Sequence, residues 1–272
     1  MITGASSGIG RATALHLAES GYKVLASSRS LRRLSSLSDE ALYRGFPLEI
    51  IEININEDQS VKNAVSEMFS RFQKIDVLIN NAGYGLWGPV GELSINEIKR
   101  QFETNFFAAV RMINAVLPSM IERRSGSIIN VSSVLGRLGT PFNGAYTSSK
   151  FALEGISESI RTEVKPFGVR VSLVEPGWFQ TNFQNNMMSS QRTELGVSQY
   201  SDYIARYQKN YGRFKRRGGD PARVAKLIHK IISSRNPRFR YVIGADARLG
   251  IAGMKFLPQR IYWALLDWAI TK

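Results

Sequence analysis

Short β-branched apolar runs alternate along the chain with longer stretches of helical periodicity, and this alternation leaves few folds open. Val24-Leu25-Ala26, Ile50-Ile51-Glu52-Ile53 and Ile75-Asp76-Val77-Leu78-Ile79 are such runs. Ile128-Ile129-Asn130-Val131, Val169-Arg170-Val171-Ser172-Leu173-Val174 and the late Tyr241-Val242-Ile243 continue the series. Near-continuous apolar strands are buried on both faces, as in parallel sheets. The intervening stretches are long enough for crossover helices, so the pattern predicts an α/β doubly wound parallel sheet. Helix punctuation agrees. Gly21 follows a helical pattern from about Ile9 to Ser20, and Asp220-Pro221 opens a later one.

With 272 residues, 43% apolar and 21% charged, the chain fits one globular domain spanning 1–272. Residues 181–219 are polar and weakly patterned and read as an insertion over the mouth of a site. Residues 247–272 read as a C-terminal helical tail. The chain has no Cys and only two histidines, His16 and His229, in no metal-binding pattern, so no metal site is expected.

The first turn is Thr3-Gly4-Ala5-Ser6-Ser7-Gly8-Ile9-Gly10, opening a helix. Glycines let a backbone approach a pyrophosphate, and the helix N-terminus then offers free N–H groups and a positive dipole end. Only one or two residues precede this turn, so the first strand is either very short or truncated. Later come Asn80-Asn81-Ala82-Gly83, Ser132-Ser133 and Tyr146-Thr147-Ser148-Ser149-Lys150. Tyr146 and Lys150 are four apart and share a helix face. A phenol ordinarily titrates near 10. A neighbouring ammonium is expected to lower that value, so that Tyr146 can exchange a proton with a carbonyl or alcohol oxygen. Ser133 lies just after the fifth strand counted from the first turn, at the sheet edge where open parallel sheets place their sites, and its hydroxyl can hold a substrate oxygen.

In the order and spacing of these motifs, with Asn105, Pro176-Gly177 and Thr181, the chain resembles the short-chain dehydrogenase/reductase family from residue 3 to about 245. The resemblance implies that Asn105, Ser133, Tyr146 and Lys150 form a catalytic tetrad, Asn105 supporting a water-mediated proton relay and Lys150 also holding the nicotinamide ribose. It implies cofactor contacts from the glycine turn, Asn81-Ala82-Gly83, Pro176, Gly177 and Thr181, with Asn54 and Ile55 beside the adenine. It further implies a homo-oligomer joined through the helix that carries Tyr146 and its neighbour.

An acidic residue at the end of the second strand selects NAD(H). Here the sequence reads Ala26-Ser27-Ser28-Arg29, with no carboxylate before Asp39. The planar fork of Arg29 suits a 2′-phosphate, which predicts NADP(H) over NAD(H). Leu135, Leu138, Phe142, Trp178, Phe179, Phe183, Met187 and Met188 are candidates for a pocket wall, suited to a lipophilic carbonyl or alcohol. A cofactor-binding protein with a regulatory or scaffolding role is the alternative. The formal net charge is +14 and the pI about 10.1, with basic clusters at 123–124, 215–217 and 235–240. A solvated basic surface accounts for this charge first. Attraction to a membrane, aided by the tail with Trp263 and Trp268, comes second, and nucleic acid is not expected as a partner. The expected location is cytoplasmic, with membrane association open.

Overall fold

The structure, a computed structural model, describes the chain except residues 184, 185, 216, 217 and 272 and the side chains of 209–215, 266 and 268–271. Of the basic cluster expected at 215–217, the side chains therefore lie outside the described residues.

In chain order the strands are β1 (Val24–Ser28), β2 (Leu48–Glu52), β3 (Val77–Asn80), β4 (Leu86–Trp87), β5 (Gly126–Val131), β6 (Val169–Pro176), β7 (Met188–Ser189) and β8 (Arg240–Ile243). The helices are α1 (Gly8–Glu19), α2 (Ser35–Tyr43), α3 (Asp58–Phe72), α4 (Ile95–Phe102), α5 (Ala108–Glu122), α6 (Gly144–Val164), α7 (Gln191–Glu194), α8 (Ser201–Lys215), α9 (Ala222–Ser233), α10 (Ala245–Phe256) and α11 (Gln259–Thr271).

The fold is the doubly wound α/β arrangement that the alternation predicts. β1 pairs with β2, and β3, β5, β6 and β8 follow one another in that order, all parallel. The two parts of the sheet are joined by a single residue. Ile2 bridges Ala26 on one side and Ile79 on the other. Its N–H donates to the Leu25 carbonyl and its own carbonyl accepts from Ser27, both at 2.9 Å. One extended residue is enough because both neighbours are already fixed by their own strands.

Apolar clusters cover the two faces of the sheet. Leu78, Met112, Ile113 and Ile128 belong to one cluster, with residues of α3, α5 and α6. Ile79, Ile129, Leu17 and Ile228 belong to the other, with residues of α1 and α9. Adjacent residues of β3 and of β5 thus point to opposite faces, each burial contributing about 1.5–3 kcal/mol. Between α4 and α5 the helix passes through a π turn at Glu103–Phe107, which carries buried Asn105. Such turns arise where an extra residue is accommodated in a helix, frequently at functional sites.

Residues 181–219, weakly patterned in sequence, contain β7, α7 and the 15-residue α8. α8 is polar, and among its described side chains Tyr203, Ile204 and Tyr207 mark its inner face. These residues pack with Trp87 and Phe142 in a satellite cluster. Among the described residues, no helix is long and apolar enough to cross a membrane.

Candidate active site

The site grows from the C-terminal edge of the sheet, where the parallel strands deliver their following loops to one side. After Ile2 comes the glycine turn, after β3 Asn81-Ala82-Gly83, after β5 Ser132-Ser133, and after β6 Gly177. Gly4 and Gly8 have φ of +66° and +56°, which favour glycine. Gly10 is held by crowding instead. A Cβ there would overlap the Gly4 carbonyl oxygen and lie 2.5 Å from Asn81 Nδ2. Asn81 Nδ2 donates to the Thr3 and Gly4 carbonyls at 3.0 and 3.2 Å. Thr3 Oγ1 accepts from the backbone N–H of Asn81 and Ala82 at 3.0 and 3.1 Å. Asn81 and Ala82, expected to flank a cofactor, therefore also fix the shape of the turn.

Ser7 caps α1 with no side-chain hydrogen bond to the first turn. In front of it lies a cleft of about 410 Å³ bordered by Ser6, Ser7, Gly8, Arg11, Ser36 and Thr181. Thr181 stands against Gly8, with its Cβ 3.1 Å from where a Gly8 Cβ would be. Arg29 is exposed just beyond β1, and no ion pair engages it among the described residues. Asn54 donates to Glu57 at 2.6 Å, while Ile55 is buried.

α6 carries Tyr146 and Lys150 on its buried face, together with Ser149 and Leu153. Burial pushes the Tyr146 phenol up to about 12, opposed by a hydrogen bond from Ser133. Burial pulls the Lys150 ammonium down to about 8, opposed by the negative charge of Glu154 one turn on. The expected lowering of the phenol by Lys150 is not what the structure gives. Loss of water around both groups outweighs their mutual influence, and Lys150 Nζ is directed to the Val131 carbonyl at 2.9 Å. Nζ lies 5.9 Å from the Tyr146 ring centroid, so the pair does share a helix face.

Asn105 spends its side chain on the loop after β3. Oδ1 accepts from Tyr84 N–H at 3.1 Å, and Nδ2 donates to the Tyr84 carbonyl and Ser149 Oγ at 2.9 and 3.2 Å. A small cavity of about 10 Å³, the size of one water, is lined by Thr3, Ala82, Asn105 and Lys150. Lys150 Nζ is 3.8 Å from the position of a Gly83 Cβ. Lys150 and Thr3 of the glycine turn thus border one cavity.

The wall beside Tyr146 is aromatic. The Phe183 ring is 5.6 Å from that of Tyr146 and edge-on to it. Met187 and Phe183 both crowd Gly85. Phe179, a candidate wall residue, is instead buried in the apolar cluster with Val224 and Ile228. Phe142 is taken up by the Trp87–Tyr207 cluster.

Two groups at the site carry no sequence signal. Asp246, at the start of α10, accepts the Trp178 N–H at 2.6 Å and closes over Gly177. Glu154 is pushed up to about 7, chiefly by burial. Arg240 on β8 binds Glu154 and Glu158 at 2.9 and 2.7 Å and the fully buried Glu175 at 3.1 Å, clamping α6 to the sheet.

A family model described as short chain dehydrogenase matches residues 1–192. The chain is 37% identical to a 3-ketodihydrosphingosine reductase of Bacteroides thetaiotaomicron, over 97% of each chain. It is 38% identical to retinol dehydrogenase 8 of Bos taurus, over 88% of this chain and 79% of that one. The crystal structure of a short-chain dehydrogenase from Streptomyces avermitilis superposes with a TM-score of 0.84 at 30% identity, over 98% of this chain and 94% of that one.

Proposed function

The chain belongs to the short-chain dehydrogenase/reductase family, and from that premise we propose that it is an NADP(H)-dependent oxidoreductase interconverting a lipophilic ketone or aldehyde and its alcohol. The observation that supports this reading is Tyr146 and Lys150 on one buried face of α6, the phenol protonated at neutral pH and engaged by Ser133, with Lys150 bordering a small cavity together with Thr3 of the glycine turn.

The residues present fit a dinucleotide. The uncapped N-terminus of α1 faces an open cleft, and Gly8 and Thr181 border it. Gly4, Ser6, Ser7, Gly8, Ile9 and Gly10 would hold the pyrophosphate end. Asn54 and Ile55 would lie at the adenine, and Pro176, Gly177 and Thr181 near the carboxamide. Arg29, exposed where an acidic residue would repel a phosphate, would take the 2′-phosphate. When bound, the nicotinamide supplies a hydride to the carbonyl carbon or takes one from the alcohol.

The chain's own side chains handle the oxygen. Ser133 Oγ holds it, and Tyr146 gives it a proton in reduction or takes one in oxidation. The high phenol value favours the acid form, and hence reduction, at neutral pH. Lys150 and Asn105 border a one-water cavity, which supports a relay of the proton inward from Tyr146. Residues 181–219 act as the substrate lid, with Phe183 edge-on to the phenol and Met187 beside Phe183 at Gly85. The apolar wall suits a long or ring-shaped lipid, as do the names of the relatives, a 3-ketodihydrosphingosine reductase and a retinol dehydrogenase. Exposed Phe107 and Phe151, on the helical layer that carries Tyr146, support pairing of two copies there.

The cofactor assignment is tested by steady-state oxidation of NADPH and NADH with a panel of lipophilic ketones. Arg29→Asp is expected to move the ratio of kcat/KM toward NADH by about tenfold or more, through the loss of a charge-assisted contact. An unchanged ratio would remove Arg29 from the role. NADPH binding without turnover of any carbonyl would favour the regulatory alternative.

A further inference from the structure

The corner between α10 and α11 is apolar, basic and unburied. Residues 254–261, Met254-Lys255-Phe256-Leu257-Pro258-Gln259-Arg260-Ile261, are all exposed. Phe256 keeps 75% of its surface in contact with solvent and Leu249, one face further back, 76%. Ile261 and Leu265, one turn apart, extend the same surface along α11. This is not the outside of a loosely placed tail, because the inner faces are packed. Ala247 is buried, Gly250 sits against Leu138, and buried Tyr262 lies against Gly253.

The charges on this surface are of one sign. Arg248, Lys255 and Arg260 are exposed among the apolar side chains, and Lys255 Nζ lies 5.4 Å from the Phe256 ring centroid. Of the acidic residues nearby, Asp246 is engaged at Trp178 and Gly177, and Asp267 lies further along α11. A second copy of the chain is a poor occupant. A two-fold interface sets a patch against itself and would oppose these cations to one another. Large apolar side chains interleaved with Lys and Arg match the boundary between headgroups and acyl chains of an anionic bilayer.

We propose that the α10–α11 corner docks on an anionic lipid surface, with Phe256, Leu257 and Ile261 entering the headgroup boundary and Arg248, Lys255 and Arg260 meeting the lipid charges. The place of the corner in the fold gives it a use. α10 carries in its first turn Asp246, which closes over Gly177 at the rim of the site, and packs on Leu138 through Gly250. Resting on the reading of that site as one for a lipophilic carbonyl, docking sets its mouth beside the lipid layer from which such a substrate would come.

The test uses the whole protein, sedimented with vesicles of phosphatidylcholine alone and of phosphatidylcholine with phosphatidylserine. Pelleting is expected with the anionic vesicles and is expected to weaken at high salt. The pairs Phe256→Ser with Ile261→Ser, and Lys255→Glu with Arg260→Glu, are each expected to lower the bound fraction constant by about tenfold or more. Both pairs should keep turnover of a water-soluble carbonyl while losing turnover of one carried in the vesicles. No pelleting, or pelleting unchanged in both pairs, would overturn the docking surface. A dimer in light scattering that the same substitutions dissociate would overturn it in favour of a second copy. Vesicle binding that both pairs abolish, in a protein that turns over no carbonyl, would sustain the docking surface while defeating the reaction read at Tyr146.

Discussion

A buried lysine next to a buried tyrosine sets the chemistry at the scale of single residues. Desolvation acts on the two in opposite senses, because the charged form is the protonated one for Lys150 and the deprotonated one for Tyr146. Lys150 falls from 10.5 to about 8, so the unfolded chain binds more protons at this position between those pH values. From this group alone, stability therefore rises as pH climbs from about 8 towards 10.5. The same titration reaches the reaction. kcat/KM for carbonyl reduction is expected to fall through a limb near pH 8 as Lys150 loses its charge, and Lys150→Arg to displace that limb upward in whatever activity remains. A pH–rate profile without an alkaline limb below pH 9, or one unmoved by Lys150→Arg, would take the proton-handling role from this side chain.

At the scale of elements, a polar ladder inside the sheet ties strands to the helix that carries the site. Asn80 Nδ2 donates to Asn130 Oδ1 at 2.9 Å, and Asn130 Nδ2 donates to Ser157 Oγ at 2.8 Å. β3, β5 and α6 are thereby held in one register, with Tyr146 and Lys150 on the last of them. Asn130→Ala removes one bond from each partner, which keep those to the Ala109 and Leu153 carbonyls, at about 1 kcal/mol for each bond lost. A fall in the urea midpoint with unchanged slope is the expected result, and an unchanged midpoint would show the ladder to be idle. Much of this level is readable in the sequence. The six principal strand runs stand out because a parallel sheet buries both faces, and Asn130 is visible as a polar residue inside such a run. Its partners are not, since they lie 50 and 27 residues away. α8 escapes for another reason. Its residues are mostly polar, so the few apolar ones, Tyr203, Ile204 and Tyr207 among the described side chains, do not stand out as a run. Asp246 and the Arg240–Glu154–Glu175 clamp are equally silent, because only the folded sheet brings those charges together.

On the scale of the whole molecule, binding and chemistry come from distant parts of the chain that converge at one sheet edge. Ser6, Ser7 and Gly8 of the first turn border the open cleft, whereas Ser133 follows β5 and Tyr146 and Lys150 are carried by α6. The motifs are legible because each answers a local demand: a backbone that must pass close to a phosphate, or two side chains on one helix face. The protonation state of Tyr146 is not legible, since it depends on how much water the assembled fold excludes. This division of labour makes the two functions separable by a single oxygen atom. Tyr146→Phe keeps the ring and its packing against Phe183 but removes the hydroxyl. Turnover of a lipophilic ketone and NADPH binding by titration are to be measured on that one variant. The expected result is a loss of kcat of about 10²-fold or more with NADPH affinity within a few-fold of the parent. Turnover retained in Tyr146→Phe would contradict the role of the phenol.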